Sequence, residues 1–416
     1  MTDADGAGGE RRRRPIATYR AQMHAGFTFD DAAAIAGYLR DLGVSHLYLS
    51  PVLKAAPGST HGYDVVDPSQ VNPELGGEAA HERLSAALGR VGLAQLLDVV
   101  PNHMAITGRD NRWWWDVLRN GPSSRWARYF DVDWEGREGA RPKTVLLPIL
   151  GDHYGRELEA GRFALRREDG EIVLRYFDHV MPLDPSSLAG PLEAAAGRLP
   201  GDGPGPELER LARSCVDLPP AASDDPVRVA DRQRNGDLVG ARLTELLAGD
   251  AGAAAAVDEE LKALTGDIEA MDALLSAQNY RLAWWRTAGE ILDYRRFFDI
   301  NDLAALRVEE PQVFADSHWL ILDWLARGVI DGVRIDHIDG LLDPYRYLHR
   351  LAAAAPEAWV IVEKILGEGE RLPEDWPVAG TTGYDWLKRV SDVFTHRAGW
   401  ERIVARYDAF TGGTER

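Results

Sequence analysis

The chain has 416 residues, of which 45% are hydrophobic, and a formal net charge of −19. This length allows a large core and more than one domain. The acidic balance argues against a polyanionic partner, so we expect the chain to bind neither nucleic acid nor an anionic membrane surface. No apolar segment approaches the roughly 18 residues that a membrane span needs.

The N-terminal residues 1–15 are predicted to form a disordered, solvated tail, because they are rich in glycine and carry a run of four arginines ending at Arg14. No apolar stretch of signal-peptide length follows this run. The single cysteine, Cys215, lies in a polar, loop-like stretch and cannot form an internal disulfide. Together these features predict a cytoplasmic protein.

In chain order, the first 130 residues alternate between predicted strands and predicted helices. Apolar runs near residues 16–20, 45–50 and 95–100 predict strands, and helical spacing of apolar residues predicts helices at 27–42 and 78–91. The run at 95–100 is typical of a strand buried on both faces of a parallel sheet. This alternation indicates an α/β architecture, and residues 16–130 are predicted to be the first part of a barrel.

Residues 131–285 interrupt this alternation. The pattern in residues 131–185 predicts strands and loops. Residues 186–275 are rich in alanine, glycine, proline and acidic residues, and their pattern predicts helices. We therefore expect a long, α-rich insertion after the third strand. The alternation resumes in residues 286–416, with strands predicted near 332–335, 359–363 and 380–384. This makes about six parallel strands, whereas a closed (β/α)8 barrel of the TIM type has eight, so the predicted barrel is incomplete.

Two of these strands deliver a carboxylate at their C-terminal ends, Asp336 and Glu363. The two residues are separated by one strand–helix–strand unit, so neighbouring parallel strands would place both at the same rim of the barrel. Cleavage of a glycosidic bond needs such a pair, one group to attack the anomeric carbon and one to move protons. The alternative for either residue alone is a structural salt bridge.

Arg334 lies two residues before Asp336, on the same face of the predicted strand. A guanidinium there is expected to keep Asp336 ionised and oriented, as a nucleophile requires. Glu363 would instead have to hold its proton, which needs a drier site or a nearby negative charge.

Two further segments carry polar groups suited to sugar hydroxyls. Asn102 and His103 follow the strand near 95–100, and Tyr63 and Asp64 lie in a glycine-containing loop. Each pair is weak evidence alone, because a structural histidine and a partly buried turn tyrosine are commoner than ligand contacts. No metal-ligand pattern is present, since Asn102 alone cannot specify calcium, and we predict no cofactor.

Taken in order, these segments resemble the α-amylase superfamily of glycosidases and transglycosidases, glycoside hydrolase family 13. The motifs that carry the resemblance are Gly62-Tyr-Asp64, Asp98-Val-Val-Pro-Asn-His103, Gly332-Val-Arg-Ile-Asp-His337 and the strand-end Glu363. The chain resembles one branch more closely, the maltooligosyl trehalose synthases. That likeness rests on residues 18–27, 50–64, 111–118, 147–151, 294–303 and 380–385.

The resemblance implies an isomerase of the (1→4)-α-D-glucan 1-α-D-glucosylmutase type. Such an enzyme converts the reducing-end α-1,4 bond of a maltooligosaccharide into an α,α-1,1 bond, by a retaining double displacement. It further implies that Asp336 is the nucleophile, Glu363 the acid/base, and Arg334 the group that orients Asp336. The substrate-contacting residues that it implies are Tyr63, Asp64, Asn102, His103 and His337.

A transferring enzyme must also keep water from the intermediate, and bulky aromatic residues would help to dry the pocket. Trp113-Trp114-Trp115 and Trp284-Trp285 are candidates, although core packing is the commoner role of tryptophan.

The resemblance also implies a third acidic residue after a later strand, for which the sequence offers no convincing equivalent. Asp385 and Asp392 fit the pattern poorly, so we expect this residue and the last barrel strands to lie beyond residue 416. On that hypothesis the chain alone is poorly active. Two alternatives remain open, namely an α-glucan hydrolase of the same superfamily and a non-catalytic, truncated barrel.

Overall fold

A computed structural model describes residues 14–136, 143–201, 203–223 and 225–413. Most of the predicted tail, residues 1–13, lies outside the described residues. The β-strands are β1 (Thr18–Ala21), β2 (His46–Leu49), β3 (Leu53–Ala55), β4 (Val65–Val71), β5 (Ala94–Val99), β6 (His103–Ala105), β7 (Val145–Leu150), β8 (Phe163–Glu168), β9 (Glu171–Tyr176), β10 (His179–Pro182), β11 (Tyr280–Trp284), β12 (Arg296–Phe297), β13 (Ile300–Ala305), β14 (Gly332–Ile335), β15 (Trp359–Val362) and β16 (Gly380–Thr381).

The helices alternate with the strands in each half of the barrel and cluster between residues 189 and 276. They are α1 (Phe29–Ala34), α2 (Ala36–Leu42), α3 (Gly77–Arg90), α4 (Arg112–Asn120), α5 (Tyr154–Glu159), α6 (Ala189–Ala196), α7 (Gly205–Val216), α8 (Pro226–Gly249), α9 (Ala251–Gly266), α10 (Ile268–Ser276), α11 (Ala288–Ile291), α12 (Pro311–Arg327), α13 (Pro344–Ala354), α14 (Tyr384–Val393) and α15 (Arg397–Thr411). The segment predicted as one helix at 27–42 is two, because the chain leaves helical geometry at Ile35.

The main sheet has six strands in the order β1-β2-β5-β14-β15-β16, and every pairing in it is parallel. The α/β fold of the TIM-barrel type is confirmed, with six parallel strands in the main sheet of the described residues. The strands were predictable because they are short apolar runs. All four residues of β2 and of β14 are buried, as expected for a parallel sheet that is covered on both faces.

Helix α12 illustrates how the sequence builds the layer outside the sheet. Pro311 occupies its first turn, where a missing N–H costs nothing, and Gly328 ends it in the left-handed conformation at φ 70°. Between these signals, Val313, Ile321 and Trp324 are at most 2% exposed. Their helical spacing places them on one face.

Gly332, at the start of β14, allows β15 to approach closely. A Cβ atom there would lie 2.1 Å from the carbonyl oxygen of Trp359, so an added methyl group would force the two strands apart. We expect Gly332→Ala to lower the free energy of unfolding by about 2–3 kcal/mol, measured by urea denaturation. Gly89→Ala is the control, because that position lies in α3 with nothing within 4 Å, and alanine there should be neutral or stabilising. Equal stability of wild type and Gly332→Ala would contradict this account.

The segment between the two halves of the barrel contains the antiparallel sheet β10-β9-β8, the parallel pair β11-β7 and helices α6 to α10. A buried ion pair between Arg232 and Asp184, 2.6 Å apart, connects α8 to the chain that precedes α6.

Cys215 is buried within α7, so its predicted placement in a loop was wrong. The division of the chain at residues 16–130, 131–285 and 286–416 stays a prediction.

Helices α14 and α15 bury none of their residues. In α15, Trp400, Ile403, Tyr407 and Phe410 are all more than half exposed and fall on one face by their spacing. No helix in the described part of the chain is long and apolar enough to cross a membrane.

Candidate active site

Four charged side chains meet where three neighbouring strands of the main sheet end. Arg334 of β14 pairs in register with Asp98 of β5. Asp336 follows β14 directly, and its N–H extends the ladder to the carbonyl of Val99 at 2.8 Å. Glu363 follows β15 in the same way. The C-terminal ends of parallel barrel strands thus bring together residues that are far apart in the sequence.

The guanidinium of Arg334 contacts all three carboxylates of the cluster. Arg334 Nη1 donates to Asp98 Oδ1 at 2.8 Å and to Asp336 Oδ1 at 2.5 Å. Its Nη2 lies 3.2 Å from Glu363 Oε1. The Arg334 side chain is 6% exposed, so little water screens these contacts. The cluster therefore holds three acidic groups against one cation.

The two predicted catalytic carboxylates differ in their surroundings. The side chain of Asp336 is 8% exposed, whereas that of Glu363 is 26% exposed. Glu363 Oε2 accepts a hydrogen bond of 2.8 Å from the backbone N–H of His337. The cluster thus has one dry carboxylate and one that reaches towards solvent.

Burial raises the pKa of Asp336 to about 7, Arg334 opposes this shift, and the negative charges of Asp98 and Glu363 add to it. The sequence argument that Arg334 keeps Asp336 ionised was therefore incomplete. The contact exists, but burial and two further carboxylates outweigh it, because the same guanidinium is shared. Near neutral pH the cluster retains a proton that isolated carboxylates would have released.

Asp336→Asn is expected to stabilise the fold at pH 8 by about 2–4 kcal/mol and to change it little at pH 4. Because the pKa of Asp336 is higher in the folded state than in the unfolded state, the folded state binds the proton more tightly. Asp336 therefore contributes fully to stability below its unfolded-state pKa. That contribution is lost as pH rises through about 7. The measurement is urea denaturation of both proteins at the two pH values. A Glu245→Gln variant is the control, since this residue is exposed and outside the cluster. A pH-independent difference would rule out the proposed cause.

Asp98 was not predicted as a site residue, although it is the anchor of the cluster. It is 2% exposed, and burial raises its pKa although Arg334 opposes the shift. Its Oδ2 accepts hydrogen bonds from the hydroxyls of Tyr48 at 2.8 Å and Tyr63 at 2.5 Å. The available signal was a carboxylate within an otherwise apolar strand, a placement that is costly unless the charge is paired.

Tyr63 and Asp64 come from the loop that precedes β4, and Tyr63 reaches the charged cluster. Besides donating to Asp98, the hydroxyl of Tyr63 accepts from Arg20 at 3.2 Å. Asp64 Oδ1 accepts from Ser59 at 2.5 Å and lies 3.8 Å from His61 Nδ1. Both residues line the cavity, so Tyr63 offers a fixed ring and Asp64 a carboxylate to any molecule that enters.

His103 and Asn102 play different parts in the site. His103 lines the cavity, donates from Nε2 to the carbonyl of Tyr63 at 3.1 Å and is held neutral, because burial lowers its pKa to about 4. Asn102 is 1% exposed and is not among the described residues that line the cavity. It accepts from Arg295 at 2.8 Å and donates to His103 Nδ1 at 3.3 Å. Asn102 therefore positions His103.

The cavity has a volume of about 790 Å³. Seven of the eight predicted site residues line it, and Asn102 is the exception. None of the five tryptophans proposed to dry it is among its described lining residues, and Trp114 is a core residue that is 1% exposed. The aromatic rings on the cavity wall include Tyr63, which was predicted, and Phe297, Phe298, Tyr48 and Tyr384, which were not. Sequence reasoning missed these residues because Phe297 and Phe298 reach the cavity through a hairpin distant in the chain.

No group of three or more histidine, cysteine, aspartate or glutamate side chains in the described ranges is arranged to hold a metal ion. The absence of a cofactor stays a prediction.

The parallel sheet of the barrel type, with paired carboxylates at the carboxyl ends of its strands, defines a class of β/α barrels with an acidic site at the strand ends. In agreement, the family model of the α-amylase catalytic domain matches residues 35–167. The identities of the relatives narrow this class further.

A putative maltooligosyl trehalose synthase of Mycobacterium tuberculosis is 38% identical over 397 residues, which is 94% of this chain and 40% of that protein. The solved maltooligosyltrehalose synthase of Arthrobacter ramosus has a TM-score of 0.70 at 36% identity, with 97% of this chain and 41% of that chain covered. A hypothetical maltooligosyl trehalose synthase from Sulfolobus tokodaii has a TM-score of 0.62 at 33% identity, with 90% and 39% covered. The chain is homologous to the maltooligosyl trehalose synthases over nearly all of its own length, and it spans about two fifths of theirs.

Proposed function

We propose that this site performs an intramolecular transglucosylation on maltooligosaccharides, in which the reducing-end α-1,4 bond becomes an α,α-1,1 bond. The observation that carries the proposal is the placement of Asp336 and Glu363 at the ends of adjacent strands, joined by Arg334, at the wall of one cavity. The matching relatives, named for this activity, support the choice of reaction.

In the first step, Glu363 gives a proton to the glycosidic oxygen while Asp336 attacks the anomeric carbon. The bond from that carbon to the glycosidic oxygen breaks, and an ester between the carbon and Asp336 forms. Arg334 donates to Oδ1 of Asp336. Among the described residues no hydrogen bond is formed to Oδ2, so that oxygen is available to the substrate.

In the second step, the released glucose turns and presents its own anomeric hydroxyl. Glu363, now ionised, accepts the proton of that hydroxyl while its oxygen attacks the ester carbon. The ester bond to Asp336 breaks and the α,α-1,1 bond forms. No water is consumed, so the reaction is an isomerisation and the configuration at the donor carbon is retained.

The first step needs Asp336 in its ionised form. Burial raises the pKa of Asp336 to about 7, so attack by this carboxylate is expected to slow as the pH falls below about 7.

The test is incubation of the purified chain with maltopentaose. The proposal expects reducing ends to disappear, at a low rate for this chain alone, while a product with an α,α-1,1 linkage appears in the NMR spectrum. Net release of glucose with a gain of reducing ends would instead identify an α-glucan hydrolase. Neither change would identify a non-catalytic barrel.

Covalent trapping tests the nucleophile independently of complete turnover. A 5-fluoroglucosyl fluoride carries a leaving group that needs no proton, and its ring fluorine slows breakdown of the ester. We expect mass spectrometry to locate the label on Asp336, and Asp336→Asn to remain unlabelled. A label on any other carboxylate would overturn the assigned roles.

We also infer a cytoplasmic location, which is supported by a lone cysteine that is buried in a helix and so has no partner for a disulfide within this chain. Cell fractionation followed by immunoblotting tests this inference.

A further inference from the structure

Phe298 combines an unusual backbone conformation with high exposure of an apolar ring. It adopts φ 47°, in the left-handed region that bulky side chains avoid. Its side chain is 70% exposed and borders the cavity. Backbone strain of this kind tends to persist at functional sites.

The ring of Phe298 is held in place by other aromatic rings. It makes an edge contact with Phe297 at 4.6 Å and lies 5.0 Å from His337. Phe297 in turn contacts His337 at 4.8 Å and His103 at 4.4 Å. This aromatic group, formed by Phe297, Phe298, His337 and His103, connects the β12–β13 hairpin to the rim of the sheet.

The contact with His337 places Phe298 on a particular side of the site. His337 follows Asp336 directly, also has left-handed backbone at φ 48°, and donates its N–H to Glu363. Glu363 is the proposed proton donor to the leaving oxygen, so the released sugar lies on its side of the cavity. Phe298 therefore borders the space in which the released glucose must turn.

We propose that Phe298 is a specificity-determining residue, whose ring stacks on the released glucose and keeps it in the cavity until its anomeric hydroxyl attacks. This inference rests on the proposed function. Water and the anomeric hydroxyl compete for the same ester carbon, and Glu363 accepts the proton from either one. Phe298 takes no part in bond making. It sets the share of intermediate that is transferred rather than hydrolysed, because an apolar face both binds the pyranose ring and excludes water.

The test is the ratio of free glucose to trehalose-ended product formed from maltopentaose. We expect Phe298→Ala to raise this ratio by about 3- to 10-fold, the range that corresponds to one lost aromatic contact. Phe298→Tyr keeps the ring face and should remain within about twofold of wild type. The rate of consumption of maltopentaose should fall less than the ratio rises, because the first step does not need the ring.

Phe177 supplies a matched control. It is a second exposed phenylalanine in left-handed backbone, at φ 49° and 62% exposed, but it lies between β9 and β10 and is not among the described residues that line the cavity. Phe177→Ala should leave the ratio unchanged. An unchanged ratio in Phe298→Ala would overturn the inference, as would an equal rise in Phe177→Ala.

A binding measurement separates failure of this inference from failure of the proposed function. If the wild-type chain forms no trehalose-ended product, the proposed function fails for this chain. Calorimetric titration with maltotriose then tests the sugar contact alone. Binding that is weaker in Phe298→Ala but not in Phe177→Ala supports it, and equal binding by all three proteins overturns it.

Discussion

Asp336→Asn is expected to lower the rate of trehalose-ended product formation by about 10⁴-fold or more, because removal of a nucleophile leaves only binding and electrostatic effects. The amide is nearly the same size and can still contact Arg334, so the loss should not reflect unfolding. The measurement is the rate of reducing-end loss from maltopentaose, with circular dichroism as the check on folding.

The matched variant for this experiment is Asp385→Asn. Asp385 is another acidic residue close to a strand end, but it accepts from Thr381 at 2.5 Å and is not among the described cavity-lining residues. It should retain activity within about twofold, since isolated surface substitutions have small effects. Comparable losses in both variants would mean that Asp336 is not the nucleophile.

Glu363→Gln should separate the two roles further. General acid–base catalysis contributes about 10²–10⁴-fold, so turnover of maltopentaose should fall by that factor. Labelling of Asp336 by a glucosyl fluoride should continue, since fluoride leaves without a proton. Loss of labelling in Glu363→Gln would argue that this residue does more than move protons.

Arg334→Met is expected to have the largest effect on stability, a loss of about 3–5 kcal/mol at pH 8. The substitution leaves three carboxylates clustered without the cation that now contacts each of them. The penalty should shrink at pH 4, because burial raises the pKa values of Asp98 and Asp336 and both can become neutral. Urea denaturation at the two pH values measures both effects.

Two further variants serve as comparisons for the stability loss in Arg334→Met. Arg334→Lys keeps the charge but not the branched geometry that reaches three carboxylates, so its loss should be intermediate. Arg40→Met removes an exposed arginine that pairs with Asp41 at the surface and should change stability by less than about 1 kcal/mol. A loss in Arg334→Met that does not depend on pH would show that lost packing, rather than charge, causes it.

The strands of the main sheet and the two principal carboxylates were readable from the sequence for a simple reason. A strand buried on both faces must be a continuous apolar run, and a catalytic group at its end appears as a polar residue where the run stops. The runs that end at Asp336 and Glu363 follow this pattern, and the structure has strands at both. Because neighbouring parallel strands end at the same rim of the sheet, the strand assignments alone bring the two carboxylates together.

The predictions failed where position depends on packing between distant segments. Five tryptophans were candidates for the cavity wall, with core packing as the commoner alternative; Trp114 packs in the core, and Phe297 and Phe298 line the cavity. Residue type alone cannot decide between these roles, because aromatic side chains serve both cores and sites. Asp98 was missed for the same reason, since its importance depends on Arg334 and two tyrosines that other segments supply.

The sequence by itself therefore determined the class of architecture, the positions of the six main strands along the chain and the two carboxylates at strand ends, because these depend on local hydrophobic periodicity and on where each apolar run stops. Only the tertiary structure decided how the charge is shared. It places three carboxylates around one buried guanidinium, and burial then raises the pKa of Asp336 against the attraction of Arg334. Desolvation and Coulomb energies depend on distances between residues more than 200 positions apart, and no local pattern encodes such distances.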